Sequence, residues 1–190
     1  LDLVSNGRAE FGTGESASRA ELEGFNIDPA ERRAMWRETV EQVANMMAMN
    51  PYPGYKGKYF SMPMRNIVPK PVQKPMPAYI GSFSKPSIEL AARLGYGLIV
   101  APFAASMSYG GLKQVADLYN ETCIKHGKKP GRLMCSYFIH FYDTPAQEAA
   151  QRDRQVRYYK ECVIPALPGD PATAPPSYRY FIDLVARLHK

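Results

Sequence analysis

Two short glycine- and serine-rich stretches hold the residues best suited to chemistry. One is Gly81-Ser82-Phe83-Ser84, with Ser87 shortly after it. Ser84 and Ser87 place hydroxyls at a predicted helix start, where free N–H groups and the helix dipole favour an anion such as phosphate. The same serines would serve as helix caps, and capping is compatible with holding a phosphate. The other stretch is Thr13-Gly14-Glu15-Ser16. A glycine there either makes a tight turn or lets a flat ring or a phosphate approach the main chain closely.

His140 is the candidate for a catalytic side chain. Met134, Ser136, Phe138, His140 and Tyr142 share one face of a predicted strand by alternation, and His140 falls near its end. The competing reading is a histidine packed in the core. His126 and His189 follow predicted helices and read as surface residues. No metal site is expected, because the histidines and cysteines lack ligand spacing. No Ser-His-Asp arrangement is visible either. Gly12-Thr13-Gly14 lacks the third glycine of a dinucleotide fingerprint.

These residues need elements to position them. Ala9 to Gly12 reads as a short strand ahead of the glycine turn. Asp28-Pro29-Ala30-Glu31 reads as a helix start, with Asp28 as cap, Pro29 in the first turn and Glu31 closing a capping box. Trp36, Val40, Val43, Met46 and Met47 continue that helix at helical spacing until Asn50-Pro51. Pro53 to Ser61 reads as a hairpin. Prolines from Pro69 to Pro77 fix φ and remove N–H donors, so this stretch is an extended strap and neither helix nor central strand. Ala78 to Gly81 follows as a strand and Ser87 to Leu94 as a helix stopped by Gly95. Gly97 to Ala101 is continuously apolar, as in a parallel strand covered on both faces. Leu112 to His126 reads as a helix and Leu133 to Tyr142 as a long strand. A helix from Thr144 to about Val163, a proline-rich loop over 165–176 and a helix from Tyr178 to Leu188 complete the chain. Alternating strands and helices predict βα units around a parallel sheet: a small open sheet, or half of an eight-stranded barrel.

Composition narrows the function classes. With 190 residues, 45% apolar and 22% charged, the chain suits a single globular domain spanning 1–190. No apolar run is long enough to cross a bilayer, so no membrane role is expected. The net charge of +6 has scattered carriers. Arg152, Arg154, Arg157 and Lys160 are interleaved with Asp153 and Glu161, which reads as a solvated helix face and not a nucleic-acid surface. A basic surface also suits phosphate-bearing small molecules. Cys123, Cys135 and Cys162 are odd in number and widely spaced, which fits reduced thiols in a cytoplasmic protein. The chain opens on Leu1-Asp2-Leu3-Val4 and closes on a helical run, and both ends read as interior sequence of a fragment.

In order along the chain stand "SNGRAEFGTGESASRAELEGFNID", a long helix, "YKGKYFSMP", "VPKPVQKPMPAYIGSFS" and "ELAARLGYGLIVA". Together they resemble the bacterial luciferase-like flavin-dependent monooxygenase family over nearly the whole chain. The resemblance implies an α/β fold, a partial TIM barrel of about four βα units corresponding to strands four to seven. It implies a mobile loop at 165–176, after the last of these strands. It further implies reduced FMN, supplied by a separate flavin reductase, reacting with O2 to oxygenate a small organic substrate. In full-length relatives it implies a homodimer. F420-dependent hydride transfer, within the same superfamily, is the alternative; a non-catalytic flavin-binding protein is another. On this resemblance Gly14 lies near the flavin ring, and Gly81, Ser82, Ser84 and Ser87 surround its phosphate. Arg33 corresponds to an arginine that helps hold the phosphate, or else joins Arg32 and Arg37 on a solvated face. Glu15 stands where relatives often carry a phosphate-pairing arginine, so its expected role is to orient another group of the flavin site.

Overall fold

The proline strap delivers the chain into its sheet. Pro77 is followed at once by a strand, and Phe11 N–H donates to the Pro77 carbonyl at 2.9 Å. The computed structural model describes residues 1–16, 18–82 and 84–166, with Ile182 and Ala186 beyond them. In chain order the elements are β1 (Phe11–Thr13), α1 (Arg19–Gly24), α2 (Arg32–Ala48), β2 (Tyr55–Lys56) and β3 (Ser61–Met62). Then come β4 (Ala78–Gly81), α3 (Lys85–Leu94), β5 (Gly97–Val100), α4 (Pro102–Tyr109), α5 (Leu112–Lys125) and β6 (Leu133–Cys135). Last are α6 (Pro145–Tyr158), a π-helical turn Tyr159–Val163 and α7 (Ile164–Ala166). The described chain forms two compact units, Leu1–Glu15 with Ala34–Tyr137, and Ser16–Arg33 with Phe138–Lys190.

The first unit holds a four-stranded, all-parallel sheet in the order β1-β4-β5-β6. Register sets its two faces. Thr13, Ile80, Leu98 and Leu133 pair in one row. Ile80 and Leu98 in that row join a buried cluster with Trp36 and Val40 of α2, Ile88, Leu90 and Ala91 of α3, and Val115 and Tyr119 of α5. The helices thus cover this face, and the near-continuous apolar sequence of β4 and β5 follows from burial on both sides. On the opposite face Tyr79 lies over Gly97, where any Cβ would stand 2.6 Å from the Arg132 carbonyl. Gly95 takes φ of 72° and stops α3 in the left-handed region, as its position predicts.

A hairpin of β2 and β3 hangs from α2. The Glu38 carboxylate accepts from the backbone N–H groups of Lys58, Tyr59 and Phe60 at 3.1, 2.9 and 2.8 Å. Tyr52, fully buried, donates its hydroxyl to Gln42 Oε1 at 2.8 Å. The strap is fixed by Asp2, whose carboxylate accepts from Val72 N–H at 2.7 Å, Gln73 N–H at 3.1 Å and Gln73 Nε2 at 2.9 Å.

In the second unit Ser18 caps α1 by accepting from Glu21 N–H, and Thr144 with Gln147 forms a full capping box on α6. Phe138, Tyr158 and Tyr159 make edge-to-face ring contacts with centroids 5.8 to 6.3 Å apart.

Several expectations need correction. The long strand Leu133 to Tyr142 ends at Cys135, because only Leu133, Met134 and Cys135 find partners on β5. Tyr137, Phe138, Ile139 and Phe141 beyond it are exposed. The helix expected from Pro29 starts at Arg32. Asp28 Oδ1 accepts from Ala30 N–H at 2.8 Å and its carbonyl accepts from Glu31 and Arg32, so the capping-box residues form a turn ahead of the helix. The first strand runs Phe11–Thr13, two residues later than Ala9, and α3 starts at Lys85, ahead of Ser87. α1 and α4 were not anticipated. The loop expected over 165–176 starts too early, because Pro165 and Ala166 belong to α7. The rest of that segment, and all of the closing helix but Ile182 and Ala186, lie outside the described residues.

Candidate functional site

In a parallel sheet whose helices pack on one face, binding residues gather where strands end and βα loops begin. The carboxyl ends of β1 and β4 meet there. Thr13 pairs with Ile80, and the next residues, Gly14 and Gly81, face each other main chain to main chain. A Cβ on Gly14 would come 3.4 Å from the Gly81 carbonyl, and one on Gly81 would come 3.7 Å from the Thr13 carbonyl. Both glycines are exposed, so the rim presents bare backbone.

After β4 the chain turns through its serines. Ser82 N–H donates to the Ile99 carbonyl at 3.1 Å and prolongs the β4–β5 ladder by one bond. Its hydroxyl accepts from Ser84 N–H at 3.2 Å, a local side-chain turn that aims the chain into α3. Ser84 is the N-cap residue of α3, yet its hydroxyl makes no capping bond. It donates instead to Ser87 Oγ at 2.9 Å. Ser87 is 2% exposed and Ser84 half-buried, so the pair presents one accessible hydroxyl backed by a second.

This alters how the helix end can hold an anion. Pro86 has no N–H, and the N–H groups of Ser87 and Ile88 already donate to the Ser84 carbonyl at 3.0 Å. Most first-turn amides are therefore spent, and the serine hydroxyls become the principal donors. Simple capping, the competing reading, does not describe what the Ser84 hydroxyl does.

The first unit thus brings together Gly14, Gly81, Ser82, Ser84 and Ser87, with half-buried Glu15 next to Gly14 in the chain. Arg33, half-buried in the first turn of α2, belongs to the second unit, as does His140. His140 is exposed, outside any strand, with Nε2 2.9 Å from Gln155 Oε1 of α6. It is neither core histidine nor strand residue. Among the described residues no group of His, Cys, Asp and Glu could hold a metal ion.

One positioning contact escaped the sequence. Trp36 of α2, 8% exposed, donates its indole N–H to Thr13 Oγ1 at 2.9 Å, one residue before Gly14. Helical spacing marked Trp36 as core. The available signal was chemical: a buried indole N–H needs an acceptor, and a threonine ending a strand can supply one.

A flat, phosphate-bearing cofactor fits these features, with hydroxyls for the phosphate and bare backbone for the ring. These features are those of an α/β protein with a parallel sheet and a loop site at its carboxyl edge. The chain belongs to the Luciferase-like monooxygenase family, which matches residues 1–186. It is 26% identical over 164 residues to the alkanal monooxygenase beta chain of Vibrio harveyi, covering 86% of this chain and 49% of that protein. It spans about half the length of that curated relative. Among solved structures, monooxygenase RslO1 from Streptomyces bottropensis superposes with a TM-score of 0.73 at 24% identity, over 98% of this chain and 60% of its own. An F420-dependent secondary alcohol dehydrogenase, in complex with an F420-acetone adduct, superposes at 0.65 with 20% identity, over 97% of this chain and 54% of its own. The oxygenating constituent of 3,6-diketocamphane monooxygenase from Pseudomonas putida, in complex with FMN, superposes at 0.58 with 19% identity, over 86% and 50%. The fold is thus that of part of a luciferase-like barrel. Among the described residues no helix is long and apolar enough to cross a membrane.

Proposed function

We propose that the protein is a flavin-dependent monooxygenase that uses reduced FMN, delivered by a separate reductase, and O2 to oxygenate a small organic substrate. The observation that carries this reading is the Ser84–Ser87 hydroxyl pair beside the bare backbone of Gly14 and Gly81. With phosphate bound, the Ser84 hydroxyl turns its one proton from Ser87 Oγ to the phosphate and accepts from the Ser87 hydroxyl in exchange. Ser87 thus holds Ser84 in place, and the glycines let the ring lie close to the ends of β1 and β4. When bound, reduced flavin supplies the electrons that activate O2, while the chain orients the ring and shields it from water. Glu15, next to Gly14 in the chain, is proposed to orient another group of the same cofactor.

Titrating the complete gene product with FMN, followed by flavin fluorescence, tests this. Wild-type protein should bind, and Ser84→Ala with Ser87→Ala should weaken binding about tenfold or more, the scale of one or two lost hydrogen bonds to a charged group. Unchanged affinity in the double variant would remove the serine pair from the reading. Absence of any flavin binding would overturn it.

The likeness to an F420-dependent dehydrogenase supports a second reading, hydride transfer with F420. Anaerobic turnover with F420 would favour it, whereas a strict need for O2 favours oxygenation. Flavin binding without turnover under either regime would mark a non-catalytic binding protein.

A further inference from the structure

A cavity of about 560 Å³ opens at the amino ends of the strands, between the last turns of α2, the end of α3 and the proline strap. Met76 and Tyr96, which precede β4 and β5, line it, so it lies at the opposite end of the sheet from Ser84 and Ser87. Its charged lining residues are Lys70, Lys74 and Arg93, without a carboxylate among them. Arg93 is offset by an ion pair with Glu41. Lys70 and Lys74 have no carboxylate partner among the described residues.

Lys70 is half-buried and held in place. Its ammonium donates to the carbonyls of Met46 at 2.5 Å and Met49 at 2.6 Å, at the end of α2. An ammonium has three donors, so one remains. Beyond Lys70 lies a second hollow of about 300 Å³, which shares Met47, Lys70 and Met76 with the first and is otherwise walled mainly by apolar side chains such as Val43 and Ile67. Asp2 also borders it, but its carboxylate is occupied by the amides of Val72 and Gln73. A fixed cation thus stands at the junction of two hollows whose walls are largely thioether and aliphatic.

Capping α2 accounts for two of the Lys70 donors. It does not account for Lys74 on the same cavity, or for a net positive lining over apolar walls. Unpaired like charges around a recess attract an anion, and the apolar walls favour a hydrophobic body. We propose that this cavity binds an amphipathic organic anion, with a carboxylate or sulfonate head at Lys70 and Lys74 and an apolar body along Met47 and Met76. At the far end of the sheet from the proposed flavin site, the ligand does not compete with FMN.

The test is a fluorescence titration of the complete gene product with anilinonaphthalene sulfonate. Saturable binding is expected, weakened about tenfold by Lys74→Glu, retained in Lys74→Arg and reduced by salt. Lys74 is exposed, so neither substitution threatens folding. FMN affinity should be the same in both variants, and FMN should not displace the probe. Equal binding by Lys74→Glu and wild type would overturn the proposal. So would equal affinity for neutral N-phenylnaphthylamine, or displacement by FMN. None of these outcomes bears on the flavin reading, which rests on other residues.

Discussion

The indole N–H of Trp36 donates to the Thr13 hydroxyl at 2.9 Å, joining α2 to the last residue of β1. The bond fixes the point from which Gly14 extends toward the Gly81 carbonyl. Trp36→Phe keeps a ring in the core and removes the donor, so destabilisation of about 1 kcal/mol or somewhat more is expected from the lost bond and the smaller ring. Thr13→Val removes the acceptor at nearly constant volume. A double-mutant cycle by urea unfolding should return a coupling of about 0.5–1.5 kcal/mol, and zero coupling would mean the bond does not form in solution.

Gly57 is required by what surrounds it. A Cβ there would overlap the Glu38 carboxylate and the Tyr55 ring. Since Glu38 holds the hairpin through three backbone N–H groups, Gly57→Ala must displace the side chain that organises the turn. A loss of about 1–3 kcal/mol is expected, the usual range for overpacking. Amide exchange at Lys58, Tyr59 and Phe60 should accelerate with it. If exchange there stayed slow, another acceptor would be holding the loop.

How much of this was legible depended on which force set each feature. β4, α3 and β5 were readable because an apolar run and a left-handed Gly95 act locally. α4 was missed: Ala101 offers no side-chain cap, and Pro102 directly after an apolar strand looks like a terminator. The end of β6 failed for a different reason. Alternation from Leu133 to Tyr142 describes a strand only where a neighbour pairs with it, and β5 offers partners only as far as Cys135. At the site, the serines and glycines were identified by type. The Ser84–Ser87 bond was not, because a cap and a hydroxyl pair have the same sequence.

Asp2 makes stability depend on pH. Its carboxyl is held below the ordinary value of 3.8, first by the Gln73 backbone N–H, with the Gln73 side chain, Val72 and Ala9 adding to it and desolvation opposing. A depressed carboxyl pKa stabilises the fold above the unfolded value and loses that contribution as pH falls through the lower folded value. Asp2→Asn should therefore melt below wild type at about pH 6, and the gap should close below about pH 3.8. A gap that stayed constant into acid would show that packing, not charge, supplies the anchoring of the strap.

Tyr119 gives the opposite sign. Its hydroxyl donates to the Tyr96 carbonyl at 2.6 Å and accepts from Gly131 N–H at 3.0 Å. Burial pushes its pKa up to about 12. The neutral phenol is thus favoured by folding, so its contribution is complete below about pH 10 and is lost as pH rises toward the folded value. Tyr119→Phe leaves a buried carbonyl and an amide without this partner and should cost about 1–3 kcal/mol at neutral pH. The difference from wild type should shrink in alkali. Burial also raises Tyr52, Tyr79, Tyr96, Tyr109 and Tyr159. Ultraviolet titration of the folded protein should therefore show a late-ionising group of phenols, and Tyr119→Phe should remove one phenol from its most alkaline part.

The serine pair predicts an asymmetry that simple capping does not. Ser84 is half-buried and donates to Ser87, which is 2% exposed. A phosphate arriving at this turn would meet Ser84, with Ser87 behind it. Ser84→Ala should then weaken FMN binding about tenfold with little change in stability, because its hydroxyl does not cap α3. Ser87→Ala removes a buried hydroxyl that positions Ser84, so it should lower stability by about 1 kcal/mol and weaken FMN less. Ser87→Thr keeps the hydroxyl and should bind FMN more tightly than Ser87→Ala. The opposite order, with Ser87→Ala the larger loss in affinity and Ser84→Ala the larger loss in stability, would place the ligand on the helix side of the pair and return Ser84 to a capping role.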